Sequence, residues 1–288
     1  MKSLVKRHLL CYLRDRWAVF FSFLSVFIIL GLFLIFLGNM QQASVPEALV
    51  GTNEADYLIY SWIFSGIVIV SSVTVPLGFL HIFIKDHVER KIDDFYIAPL
   101  KRQSIVYSYM LTAFLAGILL SVINYGLTIV ILFILSGYMI PLGNIVLGAM
   151  ILVFSNMVFT ALFFFITTFL KTLNAHSNLA TLIGTLIGFL SGLYVPIGSF
   201  SQTLQSILNS FPPSQIASLM RKVYMEDALS VVFSDPESLR TYRAFFGVDL
   251  YVFDTELHSF VMLFLLSGLF VLMIILSIYR LNHVSKRM

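Results

Sequence analysis

The sequence predicts an all-α integral membrane protein whose 288 residues form one membrane domain, 1–288. Three observations point to that class. Only 11% of the residues are charged and 59% are hydrophobic, against about 25% charged in soluble domains. A soluble chain of this size, with a mean hydropathy of +0.93, would have too little polar surface to face water. The apolar residues run in long blocks, not in the alternating ten-residue segments of a barrel, which leaves helices as the structure that satisfies its own backbone in lipid. The basic residues, finally, are unevenly shared among the connections between blocks.

Six blocks reach the roughly 20 apolar residues that a crossing needs: 17–38, 58–84, 104–136, 141–170, 177–198 and 258–280. The first is too long for a signal-peptide core and has no evident small-residue cleavage site, so it reads as a retained span. Five Lys or Arg precede it and five more lie in 85–103; Lys171 and three C-terminal residues complete one set of alternate connections, which holds 14 of the 18 basic residues. The other four lie in the long segment 199–257, where the positive-inside rule is weak. Both termini are therefore expected in the cytoplasm, and the chain in the cell membrane. All 15 acidic residues also fall outside the blocks. A span without Asp, Glu, Lys or Arg argues against proton coupling, while Na⁺ could still bind carbonyls and hydroxyls.

Residues 1–16 read as an amphipathic helix with Leu4, Val5, Leu9, Tyr12 and Leu13 on one face and basic residues elsewhere, suited to the headgroup layer; a plain topology signal is the alternative. The 85–103 loop carries nine charges with Val88, Ile92, Phe95 and Tyr96 at helical spacing, and Pro99 ends that pattern. Such a helix suits docking to another protein, and a solvated loop held by its aromatics fits equally well. In 199–257, Phe200, Leu204, Ile207, Leu208 and Phe211 mark one helix stopped by Pro212 and Pro213. A second helix follows from Ser214 as its cap, with Ile216, Leu219, Met220 and Val223 on one side. Asp235-Pro236-Glu237 opens a third that ends at Gly247. These short outer helices, re-entrant or interfacial, precede the last span.

Within the blocks, Gly184, Gly188 and Gly192 form a ladder of small residues that allows close helix packing. Asn178, Thr181 and Thr185 share a side of the same helix, and Ser61, Ser65, Ser72 and Thr74 dot the second span. Asn124 and Asn156 read as interhelical hydrogen-bonding groups. The single cysteine, Cys11, excludes an intrachain disulfide. The chain has no Gly-x-x-x-x-Gly-Lys-Ser/Thr loop, no His-Glu-x-x-His and no Gly-x-Ser-x-Gly. Its six histidines lack ligand spacing. No catalytic residue and no metal site is expected, and nothing points to nucleic acid.

Taken together, the layout resembles the type-2 permeases of ATP-binding-cassette exporters over nearly the whole chain. Two stretches carry the likeness: Glu89-Arg90-Lys91 through Ala98-Pro99-Leu100, and Tyr194-Val195-Pro196 through Phe211-Pro212-Pro213 to Met220-Arg221. Where the family often has Gly two residues after the Glu, this chain has Lys91. The resemblance implies a permease subunit, paired with a second copy or a related chain, that binds cytoplasmic P-loop ATPase subunits. ATP and Mg²⁺ would sit on those partners and no cofactor on this chain. It makes Val88, Glu89, Arg90, Ile92, Asp93, Phe95 and Tyr96 the ATPase-coupling residues. It also makes the second and fifth spans the substrate path, with Ser61, Ser65, Ser72, Thr74, Asn178, Thr181 and Thr185 on it. An apolar path dotted with hydroxyls suits outward export of a drug, lipid or hydrophobic peptide, as in multidrug efflux. The alternatives are a Na⁺-coupled secondary transporter and an intramembrane enzyme.

Overall fold

A computed structural model describes residues 1–32, 52–97, 102–253 and 255–284 of the chain. It opens with α1 (Lys2–Arg14) and α2 (Arg16–Leu32), followed by α3 (Asn53–Phe79), α4 (His81–Val88) and α5 (Lys91–Ile97). Then come α6 (Arg102–Ser136), α7 (Leu142–Thr167) and α8 (Leu173–Leu190). A 3₁₀ turn at Ile197–Ser199 leads to α9 (Gln202–Asn209), α10 (Pro212–Val232) and α11 (Pro236–Phe245). A two-residue hairpin, β1 (Tyr251–Val252) against β2 (Thr255–Glu256), precedes α12 (Ser259–Val284).

Four helices are long and apolar enough to cross a membrane: Asn53–Val88, Ser104–Ser136, Leu142–Thr167 and Ser259–Arg280. The expected first span is represented by α2, and residues 33–38 lie outside the described residues. The expected fifth, 177–198, is a helix with different bounds. Its helix starts at Leu173 with the polar residues Asn174, His176, Ser177 and Asn178 and stops at Leu190. Gly192 stops it by taking φ +66°, a left-handed backbone natural to glycine; the Leu193 N–H closes the turn on Gly188 O at 2.8 Å.

Helix α3 is the axis of the molecule. Thr52 caps it by accepting from the Ala55 N–H, and Glu54 and Asp56 complement its positive end. It is buried almost throughout and packs against α6, α7, α8, α10 and α2. Pro76 interrupts its hydrogen-bond ladder ten residues before Asp86. Around Pro76 the helices approach closely. Gly117 of α6 leaves room for the Asn156 amide of α7, whose Oδ1 lies 2.6 Å from where a Cβ would stand. Asn156 does not bridge helices as expected: its Nδ2 donates to Leu152 O of its own helix. Both polar atoms of the Asn124 side chain are buried with no partner among the described residues. Asn156 Oδ1 is likewise buried without a partner among the described residues.

The segment after α8 is more deeply embedded than a surface loop. Helix α10 lies against α3 and α7, and Ile216, Met220 and Met225 are fully buried. Its cap differs from the expectation. Pro212 and Pro213 occupy the first helical positions, which need no N–H, and Phe211 is the capping residue. The Ser214 hydroxyl instead bonds the Leu190 and Leu208 carbonyls. Helix α9 buries Ser206, Leu208 and Asn209 while exposing Leu204 and Ile207. Asp235 caps α11 as expected, accepting from the Ser238 N–H at 2.8 Å, and Gly247 follows that helix with φ +66°. The hairpin, not anticipated, is tied to α9 by Asn209 Nδ2 donating to Tyr251 O.

Candidate functional site

At the end rich in Lys and Arg, α1 is clamped onto α4, α5 and α6 through one charged network. Arg7 Nη1 donates to Asp86 Oδ2 at 2.7 Å and Nη2 to Oδ1 at 3.3 Å. The Tyr109 hydroxyl donates to the same Oδ2 at 2.6 Å. Asp86 is nearly inaccessible, with its side chain 5% exposed, while that of Arg7 keeps 33%. Such a bidentate pair fixes direction as well as distance. Arg7 Nη1 also lies 3.0 Å from His8 Nδ1. A guanidinium can only donate, so Nδ1 accepts and the proton is on Nε2, which faces Ser108 Oγ at 3.2 Å. The His8 ring stacks on Tyr109 with centroids 3.9 Å apart. Arg7 lies 4.9 Å from the centre of the Phe95 ring. Burial and then the Arg7 charge push the His8 imidazole down to about 4, so it is neutral at physiological pH.

The expected coupling helix is two helices. Helix α4 ends at Val88, and Arg90 takes φ +55° before α5 begins. That left-handed residue is one position before the site where the family often has Gly. The break divides the expected stripe. Ile92 is buried and Phe95 packs under Arg7, whereas Val88, Glu89, Arg90 and Asp94 are exposed, as is Ile97 at 85%. Glu89 pairs with Lys91 at 2.5 Å. The side chains of Asp93 and Tyr96, together with Pro99 and Leu100, lie outside the described residues.

The expected path residues fall into two groups. Ser61, Ser65 and Ser72 are fully buried inside the bundle and donate to carbonyls of their own helix. Ser72 also meets Ser155 of α7 at 2.6 Å. Thr74, half-buried, donates to Val70 O. On α8, by contrast, Asn178, Thr181 and Thr185 are exposed in one polar stripe with Asn174 and Ser177. The glycine ladder does not act as one surface. Gly184 borders open space, Gly188 receives the Tyr194 ring, and Gly192 makes the turn.

A second polar assembly at the opposite end was not visible in the sequence. Arg221 of α10 is completely buried. Its Nη2 donates to Ser191 O at 2.9 Å and Gly192 O at 3.0 Å, and Nη1 to Gly247 O at 3.3 Å. Trp62 of α3 lies under it at 5.3 Å and donates its indole N–H to Phe246 O at 2.8 Å. One cation thus joins the ends of α8 and α11 to α3. Desolvation lowers its pKa to about 9, which leaves it charged at neutral pH. The three carbonyls, two of them at the negative end of α8, take the place of an acidic partner. The sequence places Arg221 in the long connecting segment and at the end of the second stretch that carries the family likeness, but its burial and its three acceptors are not legible there.

Residues 1–225 match the family model of the ABC-2 type transporter. The chain belongs to the ABC-2 type transporter family. No curated protein matches it. As an ABC-2 permease it is a multi-pass transmembrane subunit without an ATPase of its own, and membership implies association with ATPase subunits and dimerisation. Among the described residues no group of His, Cys, Asp and Glu could hold a metal.

Proposed function

We propose that this ABC-2 permease is half of the membrane path of an ATP-driven exporter in the cell membrane, with both termini cytoplasmic and six crossings per subunit. Separate P-loop ATPases bind at α4–α5 and power outward movement of a lipophilic or amphipathic substrate. The observation that carries this reading is the Arg7–Asp86–Tyr109 clamp. It joins α1, α4, α5 and α6 into one plate whose outward side presents Val88, Glu89, Arg90, Asp94 and Ile97. A push on that side passes through Asp86 into α3, the central helix, ten residues from the Pro76 break.

The polar stripe of α8 supports the substrate path. Exposed hydroxyls and amides on a helix beside α3 are unfavourable against hydrocarbon and suit a wet path shared with a second permease copy. Thr181 and Thr185 already satisfy their own hydroxyl donors on the helix backbone, which leaves an acceptor-rich, weakly polar wall. Ser61, Ser65 and Ser72 would reach such a path only after α3 moves.

The test is ATP-dependent transport by the permease co-purified with its ATPase in vesicles. Val88→Glu and Ile97→Glu should abolish ATPase association, and Glu89→Ala should uncouple hydrolysis from flux. Intact coupling after disrupting the 88–97 surface would refute the docking role. Uphill accumulation by the permease alone, without nucleotide, would favour the Na⁺-coupled carrier.

A further inference from the structure

On the side of the bundle where α12 packs against α7, an apolar groove of about 300 Å³ opens between α6, α7 and α12. Its walls include Tyr107 and Phe114 of α6, Met157 and Ala161 of α7, and Phe270 of α12; Met1 stands at its mouth. From Tyr107 to Phe114 it follows α6 for about 10 Å, from the basic end toward the middle of the bundle. Three helices that are long and apolar enough to cross a membrane wall it, so the molecules able to reach it are those of the bilayer. The mouth has a distinct chemistry. Helix α1 starts there with no side-chain cap and no acidic residue in its first turn, and Lys2 and Lys6 are exposed. A cation and unpaired N–H groups at a positive helix end attract an anion. The α8 stripe assigned to the permease partner lies on a helix that packs on α3 and α4, away from this groove.

We propose that the groove holds one acyl chain of a resident anionic phospholipid whose phosphate sits at the start of α1 beside Lys2 and Lys6. The lipid belongs to the subunit and is distinct from its cargo. It fastens α1, and with it the clamp on α4, to the outer helix α12.

Native mass spectrometry of the detergent-solubilised full chain, titrated with phosphatidylglycerol or phosphatidylcholine of the same acyl chains, tests this. One phosphatidylglycerol per subunit should bind about thirtyfold more tightly than phosphatidylcholine, the effect of two lysines at a headgroup. Lys2→Ala with Lys6→Ala should erase that preference while phosphatidylcholine binding is unchanged. Ala161→Phe, which fills the groove, should weaken both lipids about tenfold or more. Met157→Trp, on a more open wall, serves if that variant does not fold. Equal affinity for the two lipids, or unchanged retention in a folded groove-filling variant, overturns the proposal. So does a groove-filling variant that alters only subunit association, because the occupant would then be a second copy.

Discussion

Replacing Arg221 by Met keeps most of the apolar bulk and removes the charge. Three backbone carbonyls, at Ser191, Gly192 and Gly247, then lose a charge-assisted hydrogen bond in a place no water reaches. Each buried acceptor left without a partner costs about 1–3 kcal/mol. Relief of the desolvation of the guanidinium offsets part of this, so the net loss should be about 3–5 kcal/mol, the range for breaking a buried charged contact from one side. At about 2–4 °C per kcal/mol for a chain of this size, the melting temperature should fall by about 10 °C. Trp62 is the natural reporter, because it sits under Arg221 and only one other tryptophan, Trp17, exists. In a Trp17→Phe background, Arg221→Met should red-shift Trp62 emission at room temperature and lower the melting midpoint followed by the same signal. Arg221→Lys, which can reach fewer carbonyls at once, should fall between. A variant that melts with the parent and keeps its emission would show that the ends of α8 and α11 are held by apolar packing, and the reasoning would fail.

Asp86→Ala should free α1, because Arg7 loses its carboxylate and Tyr109 its acceptor; trypsin cleavage at Arg14 and Arg16 should accelerate at least about tenfold, given a loss of about 2 kcal/mol, and an unchanged rate counts against the clamp. Acid should loosen the same junction. The folded pKa of His8, about 4, is below its unfolded value of about 6.5. Its stabilisation is therefore complete above 6.5 and is lost as pH falls toward 4, about 2 kcal/mol being gone by pH 5. A dye on Cys11, the sole cysteine and an exposed one, should report this transition, and His8→Gln should remove it. Gly247→Ala should destabilise by about 2 kcal/mol or more. It places a side chain on a left-handed residue and a Cβ 2.8 Å from Arg221 Nη1, and a melting curve that does not move would contradict both points.

Composition and periodicity alone determined the class of this protein. Eleven per cent charge and unbroken apolar blocks leave helices in lipid as the stable outcome. The cap at Asp235 and the stop at Gly247 were equally legible, since both act through local backbone chemistry, whereas Ser214 was not the cap of its helix. The family resemblance was readable for a related reason: the absence of a nucleotide loop and the spacing of charged connections are linear features.

What only the tertiary structure decided is which charges are buried and which faces are free. Arg7 and Asp86 are 79 residues apart, and Arg221 finds its acceptors 26 to 30 residues away; in the sequence each is one more basic or acidic residue outside an apolar block. The serines of α3 and the threonines of α8 look alike as letters, yet the first are sealed in the bundle and the second face outward. The stripe expected to couple to the ATPase is split for the same reason, because the left-handed Arg90 turns α5 so that Ile92 and Phe95 face inward while Val88 and Ile97 remain exposed. Burial and pairing are set by contacts between distant segments, whose free energies depend on three-dimensional neighbours that no local pattern encodes.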